Sequence, residues 1–146
     1  MAFRILHWAC RIVLGGTFLY TGYIKVDQSL QFAAALSGYH LFPPDLILPM
    51  TRYFPWVEIA LGALLLSGWK LRYVAAGAVG LVSMFILLLT ITYLRGIDAE
   101  CGCFGPGERI TPLSITLHAL FILPALFLAA ETKIRIRWQS AGQVRP

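Results

Sequence analysis

The sequence predicts an all-α protein, an integral membrane four-helix bundle with N- and C-termini cytoplasmic. Three observations lead there. Hydrophobic residues make up 58% of the 146-residue chain and charged residues 13%, about half of the ~25% charged residues typical of soluble domains. A chain this short cannot hide that much apolar surface in one soluble core. The apolar residues also gather into four runs, each near the ~20 residues that a helix needs to cross a bilayer.

The first run extends from about Ile5 to Ile24. Arg4 ahead of it gives it the look of a secretion signal, but the run is too long and lacks a small-residue cleavage site, so it reads as a retained helix. The second extends from about Leu48 to Gly68 and is interrupted by Pro49 and Pro55; Pro55 alternatively marks the first turn of a shorter helix. The third covers about Tyr73 to Leu94 and the fourth about Pro112 to Ala130. One transmembrane domain over residues 1–138 and a loose cytoplasmic tail over residues 139–146 account for the length.

Orientation follows from the flanking Lys and Arg residues, which collect on the cytoplasmic side. Arg4, Arg11, Lys70, Arg72, Lys133, Arg135, Arg137 and Arg145 fall on one side; Lys25, Arg52, Arg95 and Arg109 fall on the other. The first set is larger and marks the cytoplasm. The segments from Lys25 to Ile47 and from Arg95 to Thr111 then face outward. The net charge of +5 is spread over these flanks rather than gathered on one face, which argues against a nucleic-acid partner. Gly15 and Gly16, Gly62, and Ala76 with Gly80 are the small residues expected to let helices approach closely. Tyr20, Tyr23, Tyr53, Phe54, Trp56, Trp69 and Tyr73 near the span ends form an expected interfacial belt.

The sharpest local motif is Cys101-Gly102-Cys103 within Asp98–Gly107. Positions i and i+2 lie roughly 5–7 Å apart, within reach of the ~4.4–6.8 Å Cα separation of disulfides, and Gly102 frees the backbone to close a small ring. A strained, exposed disulfide is labile or catalytic, and an outward loop places it in an oxidising compartment. Four readings stay open: redox exchange, a static bridge, a soft-metal site such as Cu(I), Zn or mercury, or no role. The segment from Lys25 to Ile47 contains no second thiol pair. Electrons therefore pass directly to a quinone or to a partner protein. Cys10 lies about 20 Å below the outer end of the first helix and reads as a packing residue.

Glu58 is the second notable residue, because an ionisable group inside a span is costly and calls for a partner. Arg11, by snorkelling, and Lys25, if Pro55 starts the helix, are the two candidates. Together Glu58, Arg11 and Lys25 are read as a helix-locking group, a quinone contact or a proton relay. His40 falls in an outward segment and His118 in the fourth helix, each a hydrogen-bonded structural residue. No metal-ligating His pair, P-loop, dinucleotide fingerprint or serine triad is present.

Three stretches carry a resemblance to a known family. They are Arg11-Ile-Val-Leu-Gly15 through Gly22-Tyr-Ile-Lys25 to Tyr39-His-Leu-Phe-Pro43-Pro44; Pro55-Trp56-Val-Glu58-Ile-Ala-Leu-Gly62 to Leu66-Ser-Gly68; and Cys101-Gly-Cys103-Phe104-Gly105. In these the chain resembles the MauE/DoxX-like family of small bacterial membrane proteins. It departs from the family pattern ahead of the fourth helix, where Ser114-Ile-Thr-Leu-His118 replaces a basic or polar stretch.

The resemblance implies a four-helix inner-membrane domain tied to periplasmic redox or disulfide biology. Methylamine-utilisation members are associated with maturation of a disulfide-rich dehydrogenase subunit, and DoxX relatives with quinone-linked sulfur oxidation. The combined expectation is a thiol–disulfide accessory protein. Cys101 and Cys103 would exchange electrons with a thioredoxin-like or maturing protein outside the membrane, with Cys103 as the attacking thiol because Glu100 disfavours a thiolate at Cys101. The alternatives are a scaffold with a static loop disulfide and a soft-metal binder.

Overall fold

The computed structural model describes residues 2–102 and 109–130. They are all-helical apart from one antiparallel bridge between Glu100 and Arg109. The elements are α1 (Ala2–Asp27), α2 (Ser29–Gly38), α3 (Pro44–Ser67), α4 (Leu71–Leu94) and α5 (Pro112–Leu120). A turn at Phe121 follows α5, and residues 122–130 are again helical. Two stretches are long and apolar enough to cross a membrane by length and composition, Leu71–Leu94 and Pro112–Ala130. The end of the expected domain at residue 138 and the expected tail at 139–146 lie outside the described residues, as does Cys103.

The segment from Lys25 to Ile47, expected to be a loop, contains α2 and the first turn of α3. A Phe32, Ala35, Leu36 face of α2 is buried, which gives this segment its own packing. Helix α3 starts earlier than Leu48 because Pro44 occupies its first turn, where the missing N–H costs nothing and the fixed φ already suits a helix. It then runs through both Pro49 and Pro55. Each removes one backbone donor, so the carbonyls of Asp45 and Thr51 lose their usual helical acceptor role. Helix α3 stops at Gly68, which is left-handed at φ 76° and donates its N–H to the Leu64 carbonyl. Helix α5 starts with a reciprocal cap. Thr111 Oγ1 accepts from the Ser114 N–H at 3.1 Å, and the Thr111 N–H donates to Ser114 Oγ at 2.9 Å.

Helices α1 and α3 make the closest contact in the fold. A Cβ on Gly62 would lie 2.8 Å from the Gly15 carbonyl oxygen, and one on Gly22 would lie 2.9 Å from the Pro55 carbonyl oxygen. Backbone meets backbone at both places, so only glycine fits. The other small residues behave differently from expectation. A Cβ on Gly16 or Gly80 would meet nothing within 4 Å, and Ala76 is exposed, so this stripe serves no contact within the described chain. Tyr20, Tyr23, Tyr53, Trp56, Trp69 and Tyr73 are exposed as expected. Phe54 turns inward instead and meets Phe85 edge to face at 5.4 Å.

Two apolar clusters form the interior. One joins Leu14 and Phe18 of α1, Leu65 of α3, Val82 of α4 and Leu128 beyond α5. The other joins Phe32, Leu36 and Tyr39 to Phe85, Leu89 and Cys101. Large apolar side chains also cover the outside, with Leu30, Leu94, Leu48 and Ile5 all well exposed.

Replacing Gly62 with Leu should push α1 and α3 apart and destabilise the protein by ~1–3 kcal/mol, the usual cost of overpacking. Gly80→Leu, facing open space, should be nearly neutral. Thermal unfolding of both variants in detergent checks this, and equal melting temperatures would contradict the close contact.

Candidate functional site

The α1–α3 contact sets the site. It brings Lys25, in the last turn of α1, to Glu58, in the middle of α3. Lys25 Nζ lies 2.6 Å from Glu58 Oε1, and both side chains are 2% exposed. Lys25 Nζ also stands over the rings of Phe85 at 4.5 Å and Phe32 at 5.3 Å, so the ammonium is held by one carboxylate oxygen and two aromatic faces. The second carboxylate oxygen, Glu58 Oε2, is buried and has no hydrogen-bond partner among the described residues.

Of the two candidate partners for Glu58, the structure selects Lys25. Arg11 does not join them. Its Nε donates to the Leu65 carbonyl at 3.0 Å and its Nη2 to the Leu66 carbonyl at 2.7 Å. These carbonyls belong to the last turn of α3, where helices leave acceptors unsatisfied and the helix dipole is negative. A Cβ on Gly68 would lie 2.6 Å from Arg11 Nη2, so Gly68 both ends the helix and admits the guanidinium. Arg11 is fourteen positions from Lys25, about 21 Å along a helix, which is why one residue locks the far end of α3 while the other pairs with Glu58.

Cys101 follows α4 and is buried, 1% exposed. Gly102 beside it has φ 64°, and a Cβ there would lie 2.8 Å from the Cβ of Ala35. Glycine between the two cysteines is therefore required twice, by backbone conformation and by the packing of α2. The Tyr39 hydroxyl donates to the Cys101 carbonyl at 2.5 Å. The Glu100–Arg109 bridge and the Ile110 N–H to Ala99 carbonyl bond at 3.1 Å tie the two ends of the loop together.

The sequence did not connect His118 with this motif. In the structure His118 Nε2 stands 3.8 Å from Cys101 Sγ, and both side chains are buried. His118 Nδ1 lies 2.6 Å from the Ser114 carbonyl oxygen. A carbonyl only accepts, so Nδ1 carries the proton, and in the neutral ring Nε2 presents its lone pair to the thiol. The capping box fixes Ser114 and, through it, the ring. Residues 101 and 118 are separated by a loop and a helix start, and no spacing rule pairs them.

A cavity of about 50 Å³ is lined by Thr17, Thr21, Lys25, Glu58, Phe85 and His118. It therefore joins the ion pair to the ring that touches Cys101. The ammonium that lines it, Lys25, is paired with Glu58. Among the described residues no three His, Cys, Asp or Glu side chains converge, so Cys101 and His118 offer a soft metal two donors there. Cys10 lies half-buried against the first apolar cluster, away from the site, and His40 is exposed with φ 50°.

These features define a class: an all-helical protein with two membrane-length helices, a buried ion pair between its first and third helices, and a cysteine–imidazole contact beside a loop. The chain belongs to the family described as methylamine utilisation protein MauE, whose model matches residues 3–131. Neither a curated protein nor a solved structure matches it. The family match covers every described helix, and it ties the protein to the membrane accessory functions of methylamine utilisation.

Breaking one side of the buried pair leaves an uncompensated charge, which costs about 3–5 kcal/mol. Lys25→Met and Glu58→Leu should each be strongly destabilising, whereas the double variant should recover much of the loss. A double-mutant cycle on unfolding in detergent measures the coupling; additive losses would show that the two charges do not depend on each other.

Proposed function

We propose that this MauE-family protein is a multi-pass inner-membrane accessory protein that exchanges thiols and disulfides with a protein outside the membrane. Helices α1, α3, α4 and the Pro112–Ala130 stretch are its four crossings. At 1.5 Å per residue, the 26 residues of α1 and the 24 of α3 span about 36 Å or more, enough for a ~30 Å hydrocarbon layer. Their lower hydropathy has a physical source, since Arg11, Lys25 and Glu58 are spent on internal contacts rather than exposed to lipid. Exposed apolar side chains on every helix favour hydrocarbon as the solvent, because soluble monomers rarely expose contiguous apolar surface of this kind. The Lys and Arg distribution favours cytoplasmic termini and a periplasmic Cys101–Cys103 loop.

The observation that carries the exchange reading is the 3.8 Å contact of Cys101 Sγ with a tautomer-fixed His118. Thiolates, not thiols, attack disulfides, and an imidazole in contact with a thiol is the simplest device for making one. The partner is a thioredoxin-like or maturing disulfide-rich protein. Electrons pass between it and the Cys101–Cys103 pair, and no quinone step is included.

A second reading, a maturation scaffold with an inert loop, has its own support. The residues flanking the loop are held by the Tyr39 bond to the Cys101 carbonyl and by the Glu100–Arg109 bridge.

Thiol trapping with a mass-tagged reagent, on membranes poised across a series of redox potentials, separates the two. The Cys101–Cys103 pair should titrate reversibly in the range of periplasmic exchange proteins, roughly −120 to −200 mV. A pair that stays oxidised well below about −300 mV would support the scaffold and remove the exchange reading.

A further inference from the structure

We propose that Cys101 and His118 form a binding site for one soft monovalent metal ion, Cu(I), held between the thiolate and the imidazole. The proposal stands apart from the exchange reading, since it needs only the contact between these two side chains. Cys101 Sγ and His118 Nε2 are 3.8 Å apart, and both side chains are buried. Metal–sulfur and metal–nitrogen bonds are about 2.3 and 2.0 Å long, so two donors of one ion lie ~3.5 Å apart at a tetrahedral angle and ~4.3 Å apart in line. The observed separation falls between these limits, and a single ion can bridge the two atoms without a backbone shift.

The ring is set for this task. His118 Nδ1 donates to the Ser114 carbonyl at 2.6 Å, which leaves Nε2 as the lone-pair atom. A hydrogen bond of this kind orients metal-bound imidazoles and raises their basicity. The reciprocal cap between Thr111 and Ser114 fixes the turn that carries the carbonyl.

Charge and softness select the ion. One thiolate and one neutral imidazole carry a single negative charge, so a monovalent ion makes the group neutral, and a net charge in an apolar interior is costly. A divalent ion would leave one positive charge over. Lys25 and Glu58, which line a cavity with His118, already compensate each other. Zinc in a structural site also takes four ligands, and among the described residues no group of three His, Cys, Asp or Glu converges. Cu(I) has a closed d shell and is stable with two ligands, and thiolate is the ligand that selects it. Phe32, Leu36, Phe85 and Leu89 pack in the same cluster as Cys101, surroundings that offer none of the oxygen ligands that Mg²⁺ and Ca²⁺ require.

Binding changes no oxidation state. The Cys101 S–H bond breaks, its proton passes to solvent, and the Cu–Sγ and Cu–Nε2 bonds form, so one proton is released per ion bound. While the ion is held, the Cys101 sulfur is not available as a nucleophile.

The test uses the reduced full-length chain in detergent, carrying Cys10→Ala and Cys103→Ser so that Cys101 is its one thiol. Cu(I) is supplied from a chromophoric Cu(I) chelator whose colour reports the metal withdrawn. The chain should take one equivalent. Adding Cys101→Ser should abolish uptake, and adding His118→Gln should weaken it at least about a hundredfold. X-ray absorption at the copper edge is measured on the loaded Cys10→Ala chain that keeps Cys103, and should show one sulfur and one imidazole nitrogen around the metal. Absence of uptake, uptake that survives Cys101→Ser, an unchanged affinity in His118→Gln, or a copper shell made of sulfur alone would each overturn the proposal. If a substituted chain does not fold, the absorption spectrum decides: an imidazole shell supports the site and its absence refutes it. Failure here leaves the exchange reading intact, because the redox titration that tests that reading is carried out without metal.

Discussion

The backbone contact between α1 and α3 is the constraint from which the rest of the structure follows. Gly15 against Gly62 and Gly22 against Pro55 let two helices touch without intervening side chains. In a lipid environment, where apolar burial provides little drive for helix association, such contact is the main source of packing energy. It also fixes the register of the two helices. Arg11 reaches the end of α3 at one level and Lys25 reaches Glu58 at another, and both fits require the same alignment. A slip of one helical turn would leave a buried carboxylate and a buried ammonium each alone.

That register has a chemical consequence. The Lys25–Glu58 pair is a poor source of stability in itself, because desolvation offsets much of the attraction. Its value lies in position: it lines a small, mostly apolar cavity that His118 also lines. The cavity keeps polar groups within an otherwise apolar interior. On the far side of His118, the ring meets Cys101. The Lys25–Glu58 pair and Cys101 are thus parts of one interior, joined by His118.

Helix α2 covers the site. It turns the segment between α1 and α3 into a cover that buries Cys101 and sets Ala35 against Gly102. Cys101 is thereby enclosed and lies against an imidazole. The capping box at the start of α5 completes the arrangement, since Thr111 and Ser114 set the first turn from which the Ser114 carbonyl orients the ring.

Much of this protein could be read from its residues alone. Apolar runs near membrane length and the three quoted stretches pointed to the helical class and the family, and the C-x-C motif and the buried charge drew attention to Cys101 and Glu58. Those signals are local, carried by hydrophobic length and by the high cost of a charge inside an apolar run. Which basic residue would answer Glu58 was not local, because both Arg11 and Lys25 lie on α1 and only the α1–α3 register chooses between them. Helix α2 was also hidden, since ten residues of mixed composition between two long apolar runs look like a loop until the face that buries Phe32 and Leu36 has a neighbour. His118 was the largest omission. Its role depends on a contact across seventeen positions, through a loop and a helix cap, and no periodicity records such a contact. The sequence by itself determined the long apolar helices and the costly charge among them, because burial preference and helix formation act along the chain; the tertiary structure alone decided which residues meet, because that depends on how closely two backbones can approach.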